Sequence, residues 1–288
     1  MTKKSPNVIR SKSQINYSYV TIRITQSRID KGLIAIPRNL EKWFPKNNEN
    51  IEVYLNDSPF SQSKHYSSYN SSTNECRIGG VREWFYQNNI KSGDEIVIQF
   101  VDEKNFIYRF IPEQNFILKT KELQYGFDNS ETEQDASSKI TTLAQWTHLE
   151  KGNVVFNEYL RLIDSLPYKD RQFIEKSQSR ARESVPTNLR TLLEDIYKGH
   201  CQLCDFWFLK SDKNPYFEIH HLDPLKSHHP KNLLVVCGNC HNQFEHADVK
   251  QNFNEFGWLV RVSFNESIYL VKQAMFTTNI GFFKEIFI

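Results

Sequence analysis

The sequence has little that would place it in a membrane or in an oxidising compartment. Its 288 residues contain no long apolar run and have a negative mean hydropathy, which excludes a membrane-spanning helix. The start, MTKKSPNVIRSKSQ, is basic and polar and has no apolar stretch typical of a secretory signal, so we expect a soluble cytoplasmic protein. Only five cysteines are present, and we expect no disulfides in a reducing cytoplasm.

A strong net charge is also lacking. The formal charge is +2 and the pI is about 8.2, below the level that by itself indicates nucleic-acid binding. The distribution is uneven, because residues 1–50 carry ten lysines and arginines against three acidic residues. This segment is either an anion-facing surface or a solvated face with a disordered basic tail.

The chain is longer than a typical single domain, and its first part has a β pattern. Short runs with strand-like alternation are separated by turn signals: YVTIRIT, GLIAI, NIEVYL, CRIGGV, DEIVIQFV and NFIYRFI. Two further segments, PRNLEKWF and VREWFYQNN, predict short amphipathic helices. We therefore predict a first domain, residues 1–122, built as a small β-barrel with helices at its ends.

The pattern changes after this barrel. Residues 123–150 are predicted to be a linker, because the stretch LQYGFDNSETEQDASS is polar, acidic and poor in apolar residues. Residues 151–288 are predicted to be a second domain with a helical lead-in (151–198), a metal-rich core (199–250) and a terminal strand pair (251–288). Between its two helices, YKDRQFIEKSQSRARE is basic and either helical or mobile. The overall fold class is α+β.

Four of the five cysteines form two Cys-x-x-Cys turns separated by 32 residues: Cys201, Cys204, Cys237 and Cys240. Each turn can aim two thiolates at one point, and four thiolates in a tetrahedron suit a closed, structural Zn²⁺ site. The alternatives are buried unliganded thiols or a redox pair. The fifth, Cys76, is expected to be a small buried hydrophobe.

Histidines crowd the segment between and after these turns. The order Glu218-Ile-His220-His221, then Asn232, then Cys240-His241, resembles the HNH nucleases, whose core is a β-hairpin and helix around one metal ion. The nine-residue step from Asn232 to His241 also matches, and the resemblance covers roughly residues 190–250. It implies a ββα-metal domain that hydrolyses phosphodiester bonds.

The resemblance implies a role for each matching residue. His221 would be the general base, Asn232 would orient the loop that carries it, and His220 and His241 would bind the catalytic divalent ion. This ion would be Mg²⁺ or Mn²⁺, with Ni²⁺ or Zn²⁺ as the alternatives. Neighbouring residues of a strand point to opposite sides, so His220 can face a metal while His221 faces water. The alternative for this pair is extra zinc ligation or a hydrogen-bonded core pair.

The third ligand of this second ion has two candidates. In a regular helix, His241 and Glu245 are one turn apart on the same face, whereas His246 lies about 140° round the axis. The resemblance favours His246, because relatives often carry histidine there, and we rank it first with Glu245 as the alternative. His65, His148, His228 and His229 are expected at the surface, and His200 is expected to flank the first cysteine turn.

The first domain resembles the B3 DNA-binding pseudobarrel, which also occurs in some restriction enzymes. The segments GLIAIPRNLEKWFP and GGVREWFYQNNIKSGDEIVIQF carry this resemblance, and another small β-barrel is the alternative. The two DNA-gripping loops would correspond to Thr25–Gly32 and Ser58–Glu75. The candidate DNA contacts are Arg23, Arg28, Lys31, Arg38, Lys64, His65, Tyr66 and Arg77. A structural role is the alternative for Arg23 and Arg38.

Together these patterns predict a DNA endonuclease of restriction type, either type II or modification-dependent, that acts on double-stranded DNA. One catalytic metal site per chain implies a homodimer or sequential nicking, and the terminal strands are candidates for a dimer interface. The alternatives are a non-catalytic zinc-containing DNA-binding regulator, a homing endonuclease, or cleavage of RNA or of a particular DNA structure.

Overall fold

The described part of the chain begins with a strand-rich region, continues with four successive helices and ends with a hairpin, a helix and three further strands. The structure is a computed structural model that describes residues 14–70, 76–170 and 184–276. The chain divides into two units, one of Met1–Gly126 with Thr142–Leu149 and the other of Phe127–Thr141 with Glu150–Ile288. Among the described residues, no helix is both long and apolar enough to cross a bilayer. The fold is mixed α+β, as the sequence predicts.

The first unit is built on a seven-stranded sheet. Its elements are β1 (Val20–Arg23), α1 (Gln26–Lys31), β2 (Leu33–Ala35), a 3₁₀ helix (Arg38–Trp43), β3 (Glu49–Leu55), β4 (Ser61–Ser67), β5 (Arg77–Gly79), α2 (Arg82–Gln87), β6 (Glu95–Asp102) and β7 (Ile107–Pro112). The strand order is β1-β6-β7-β3-β4-β5-β2, and only the β3–β7 pair is parallel. This nearly closed sheet is the predicted pseudobarrel-like arrangement, and every predicted strand and helix of the barrel is present.

Alternating apolar residues explain how these strands enclose a core. Ile22 and Ile24 are buried, whereas Arg23 between them is exposed. At the centre, the ring of Phe44 stacks on those of Tyr66 and Tyr108, with centroids 5.5 and 4.5 Å away. Each fully buried large side chain of this kind contributes roughly 1.5–3 kcal/mol to the hydrophobic stabilisation.

Both predicted DNA-gripping loops contain regular structure. The segment Thr25–Gly32 forms α1, which ends at Gly32 in a left-handed conformation with φ 63°. A Cβ on Gly32 would lie 2.6 Å from Cβ of Arg82, so the close approach of α1 to α2 also requires glycine. The second segment contains β4, whose sequence SQSKHYS has too few apolar residues to predict a strand. Residues 71–75, its end, lie outside the described residues.

The predicted linker is helical, which corrects the expectation of irregular structure. Helix α3 spans Glu113–Asp128 and helix α4 spans Glu133–Thr147. Few apolar residues are available here, but Phe127, Ala136 and Ile140 are all fully buried. The polar composition of this segment does not predict helices, but a helix needs only one apolar stripe in order to pack.

The second unit continues with α5 (Lys151–Ser165) and α6 (Thr187–Tyr197), which pack on each other. Then come β8 (Glu218–His221), β9 (Leu233–Val236), α7 (Gly238–His246), β10 (Val249–Phe253), β11 (Leu259–Phe264) and β12 (Ser267–Leu270). Strands β8 and β9 form an antiparallel pair directly before α7, and β10, β11 and β12 form a three-stranded sheet rather than the predicted strand pair. The basic segment 171–183 and the terminal residues 277–288 lie outside the described residues.

Candidate metal centres and nucleic-acid interface

Two cysteine turns meet in the second unit. They contribute Cys201, Cys204, Cys237 and Cys240. Gln202 ties the first turn to β9, because its backbone N–H donates to the carbonyl of Val235 at 2.9 Å and its side-chain oxygen accepts from the N–H of Val235 at 2.7 Å. The second turn begins α7, whose capping residue is Cys237. The four cysteines therefore converge as the sequence predicts.

The spacing of the sulfurs fits a tetrahedral zinc ion. Sγ of Cys204 lies 3.7 Å from Sγ of Cys237 and 3.6 Å from Sγ of Cys240. Four sulfurs held about 2.3 Å from one Zn²⁺ would be about 3.8 Å apart. This group, called here the cysteine cage, can hold a structural zinc ion with every ligand position filled.

The thiols of the cage differ in how readily they ionise. A hydrogen bond from Cys240 lowers the pKa of Cys201 to about 4. Burial, together with the neighbouring Cys201, raises the pKa of Cys204 to about 11. A divalent cation bound by all four sulfurs would favour the thiolate form of each of them.

A second group of metal-binding side chains lies on β8 and α7. One ligand atom from each of His220, His241 and Glu245 lies within 4.8 Å of the other two. This group is called here the histidine group. Helix α7 is regular as far as His246, so His246 points elsewhere, is exposed and does not belong to the group. The structure thus groups Glu245, the alternative third ligand, with His220 and His241, and leaves out His246, which the resemblance ranks first.

His220 is held by an aromatic contact. Its ring stacks on Phe244, with centroids 4.0 Å apart and planes 14° apart, and Phe244 packs edge-on against Phe264. Burial, with a contribution from nearby His241, lowers the pKa of His220 to about 4. The imidazole is consequently neutral at pH 7, which is the form that binds a metal ion.

His241 is held by a carboxylate that the sequence analysis did not single out. Nδ1 of His241 is hydrogen-bonded to Glu218, and the hydroxyl of Tyr216 donates to the same carboxylate. Burial opposes ionisation of Glu218, but these two hydrogen bonds hold its pKa below the usual range. The bond to Glu218 also raises the pKa of Tyr216 to about 12. Because residues i and i+2 of a strand lie on the same face, the spacing of Glu218 and His220 is the sequence signal that places Glu218 on the side of the histidine group.

His221 lies beside the histidine group, on the other side of β8. Its Nε2 is 3.0 Å from Nδ1 of His228. The following loop is fixed by Asn232, which is fully buried. The Asn232 amide donates to the carbonyls of Asp223 and Ser227 at 2.9 and 3.0 Å, and its side-chain oxygen accepts from the N–H of Asp223 at 2.8 Å. Asn232 thus holds the chain that leaves His221.

The same loop corrects two surface predictions. His228 and His229 are both buried. Nε2 of His229 lies 3.1 Å from the carbonyl oxygen of Ile163, and burial lowers the pKa of His229. Sequence reasoning treated a proline-flanked segment as a free loop, whereas the hydrogen bonds of Asn232 fold it inward. His200, as predicted, flanks the first cysteine turn and packs against Trp207, with centroids 5.3 Å apart.

The candidate DNA contacts of the first unit divide by exposure. Arg23, Lys31, Arg38 and His65 are exposed, and Arg28, Lys64 and Arg77 are partly exposed. The guanidinium of Arg38 lies 4.7 Å from the ring centroid of Tyr69, and Nζ of Lys64 donates to the carbonyl of Gly80 at 2.7 Å.

Tyr66 is a core residue, which corrects its selection as a DNA contact. Its side chain is fully buried, and its hydroxyl lies 2.5 Å from Sγ of the equally buried Cys76. Alternation along β4 places His65 outside and Tyr66 inside. The burial of Cys76 agrees with its prediction as a small hydrophobe.

Comparison with known proteins gives structural similarities alone. No family model matches the chain, and no curated protein matches it. The Arabidopsis FUS3-DNA complex is similar at 14% identity and a TM-score of 0.28, over 33% of this chain and 94% of that chain. The complex of the Arabidopsis thaliana transcription factor LEC2 with DNA is similar at 22% identity and a TM-score of 0.27, over 32% and 88%. The N-terminal domain of Helicobacter pylori LlaJI.R1 is similar at 14% identity and a TM-score of 0.25, over 34% and 86%.

Proposed function

We propose that this chain is a metal-dependent DNA endonuclease of restriction type, either type II or modification-dependent, with an HNH site. One observation carries the proposal. His220, His241 and Glu245 offer three ligand atoms within 4.8 Å of one another, and His221 follows directly on the same strand.

The residues suit phosphodiester hydrolysis. A divalent ion such as Mg²⁺ or Mn²⁺, when bound, would stabilise negative charge on the phosphate and on the leaving oxygen. His221 accepts a proton from the attacking water, and Asn232 keeps its loop in place through three hydrogen bonds. His220, His241 and Glu245 are the residues that would hold the ion.

The cysteine cage has a different role. Four sulfurs complete a tetrahedral shell and leave no position for water or substrate. The buried sulfurs pack with Leu234 and Leu259 in the core of the second unit. We therefore assign this group to stability and the histidine group to chemistry.

The first unit is proposed to select the DNA, as a B3-like reader. The exposed cations Arg23, Lys31 and Arg38 can reach phosphates, and the partly exposed Arg28 can reach phosphates or guanine edges. A single histidine group is found among the described residues of each chain, so cutting both strands requires either a homodimer or two successive nicks.

The test is cleavage of supercoiled plasmid, modified and unmodified, with Mg²⁺, Mn²⁺, Ni²⁺ or Zn²⁺. We expect nicked and then linear DNA with at least one of these ions and none in EDTA. A linear product without a nicked intermediate would favour a dimer.

The rival function is a non-catalytic DNA-binding regulator, in which the cysteine cage is only a scaffold. A scaffold explains the four cysteines but gives no reason for His220, His241 and Glu245 to converge. DNA binding without cleavage of any plasmid, with every ion, would favour the regulator and overturn the nuclease.

A further inference from the structure

We propose that Glu218, supported by Tyr216, positions His241 as a ligand of the histidine group. This inference rests on the proposed metal site and adds two residues to it. The Glu218 carboxylate receives the N–H of Nδ1 of His241, which fixes one tautomer of the ring. Nε2 is then the ring nitrogen that carries the lone pair for the metal ion.

The two oxygens of Glu218 have different partners. Oε2 is bonded to His241, and Oε1 accepts from the hydroxyl of Tyr216. The Tyr216 ring stacks on Phe208, with centroids 4.8 Å apart and planes 20° apart, so the phenol has a fixed direction. A carboxylate bound at both oxygens cannot swing away from the imidazole, and this is what a positioning residue requires.

Gly238 supplies an independent observation for this arrangement. A Cβ at Gly238 would lie 3.1 Å from the Tyr216 hydroxyl and 3.2 Å from Oε1 of Glu218, tighter than ordinary van der Waals contact. The backbone of Gly238 is helical and does not itself need glycine, since residue 238 begins α7 and is not among the positive-φ glycines. The absent side chain of Gly238 therefore leaves room for the Tyr216–Glu218 pair. In the sequence, Gly238 stands between Cys237 of the cysteine cage and His241 of the histidine group.

The two histidine ligands differ in how they are oriented. His220 is held by the face of Phe244, whereas His241 is held by Glu218. Changing Glu218 should therefore act on His241 directly, while the stacking of His220 on Phe244 stays in place. This separation lets an experiment distinguish loss of positioning from loss of the whole fold.

The experiment uses full-length protein that retains its zinc, and measures Mn²⁺ affinity from the EPR signal of free Mn²⁺. Glu218→Ala should weaken Mn²⁺ binding roughly tenfold to a hundredfold. Glu218→Gln, which keeps an acceptor but loses the charge, should weaken it less, and Tyr216→Phe less again. The exposed Glu266→Gln, on the turn between β11 and β12, is the matched control and should bind as wild type does.

A second readout follows the tautomer of His241 by its ring ¹⁵N chemical shifts in the metal-free histidine group. Wild type should show the Nδ1–H tautomer alone, and Glu218→Ala a mixture, with zinc content unchanged in both. If wild type binds Mn²⁺ no better than His241→Ala, the metal site and this inference fall together. If wild type binds but Glu218→Ala and Glu218→Gln keep its affinity and tautomer, the inference alone is overturned.

Discussion

The cysteine cage and the histidine group lie on the same short stretch of chain but differ in composition and exposure. In the cage, three of the four cysteines are buried, and the chain supplies all four ligands. In the histidine group only three ligands converge, and His241 is half-buried and Glu245 exposed. A closed shell suits an ion that only stabilises, whereas an incomplete and accessible one suits an ion that must also meet substrate.

The two groups also differ in the side chains that surround them. The cage packs against aliphatic side chains such as Leu234, Val236 and Leu259. The histidine group is surrounded by groups that fix direction, namely Phe244 against His220 and Glu218 against His241. Removing a residue should therefore have opposite consequences at the two places: lost stability at the cage and lost chemistry at the histidine group.

The largest effect is expected at the cage. Cys204→Ser should abolish zinc binding and unfold the second unit, because zinc binding at a structural site of this type contributes about 10 kcal/mol or more to folding. Zinc content by atomic absorption and thermal unfolding by circular dichroism measure this. Cys76→Ala, in the first unit, should leave zinc content at the wild-type value. If the Cys204→Ser protein were folded and free of zinc, this result would contradict the structural role of the cage.

A large kinetic effect without a stability effect is expected beside the histidine group. His221→Ala should lower the rate of plasmid nicking roughly 10²- to 10⁴-fold, the usual contribution of a general base. Its free energy of unfolding should change by about 1 kcal/mol or less. Quantitative gel assays and urea titration measure the two quantities.

The control on α7 is His246→Ala, which removes an exposed histidine outside the group. It should keep both the rate and the stability of wild type. Unfolding of His221→Ala to the same extent as Cys204→Ser would contradict the division between a stabilising and a catalytic centre.

An intermediate effect is expected at Asn232, which should contribute both to the free energy of unfolding and to the rate of cleavage. Asn232→Ala removes three buried hydrogen bonds and should cost about 3 kcal/mol in unfolding free energy, while also slowing cleavage. Asn242→Ala, which removes an exposed bond to Gly238, should change stability by about 0.5 kcal/mol or less. Equal destabilisation by the two variants would show that the loop does not depend on Asn232.

The smallest effect is a pH dependence from His229, which lies outside both metal groups. Burial lowers its pKa in the folded state, so the unfolded chain binds a proton first as pH falls below about 6.5. Its contribution to stability is present above that pH and is lost toward the lowered folded-state pKa. His229→Gln should therefore show a shallower fall in unfolding free energy between pH 7.5 and 5.5 than wild type. An identical slope would show that His229 does not titrate differently on folding.

Much of the fold follows from local pattern, and the failures have physical causes. The alternating residues Val20, Ile22 and Ile24 predicted β1 because one face of it is buried. The polar strand β4 was missed because its stability comes from pairing with β3 rather than from its own residues. Helices α3 and α4 were not predicted because the segment is polar on average, although its few apolar residues are spaced so that they lie on one helix face.

The sequence predicts the metal-binding side chains of the two groups better than it predicts the residues around them. Spacing placed the four cysteines together, and helical geometry favoured Glu245, although resemblance led us to rank His246 above it. The burial of His228 and the role of Glu218 depend on contacts between residues that sequence spacing does not relate. Tyr66 shows the same limit in the first unit, since its inward direction depends on the register of β4.

The most direct measurement is anomalous X-ray diffraction from crystals of the zinc-containing protein soaked in Mn²⁺, recorded at the zinc and manganese absorption edges. We predict one zinc peak among Cys201, Cys204, Cys237 and Cys240, and a separate manganese peak bounded by His220, His241 and Glu245. A single metal peak shared by cysteines and histidines, or no manganese at the histidine group, would contradict the claim that one ion stabilises and another serves hydrolysis.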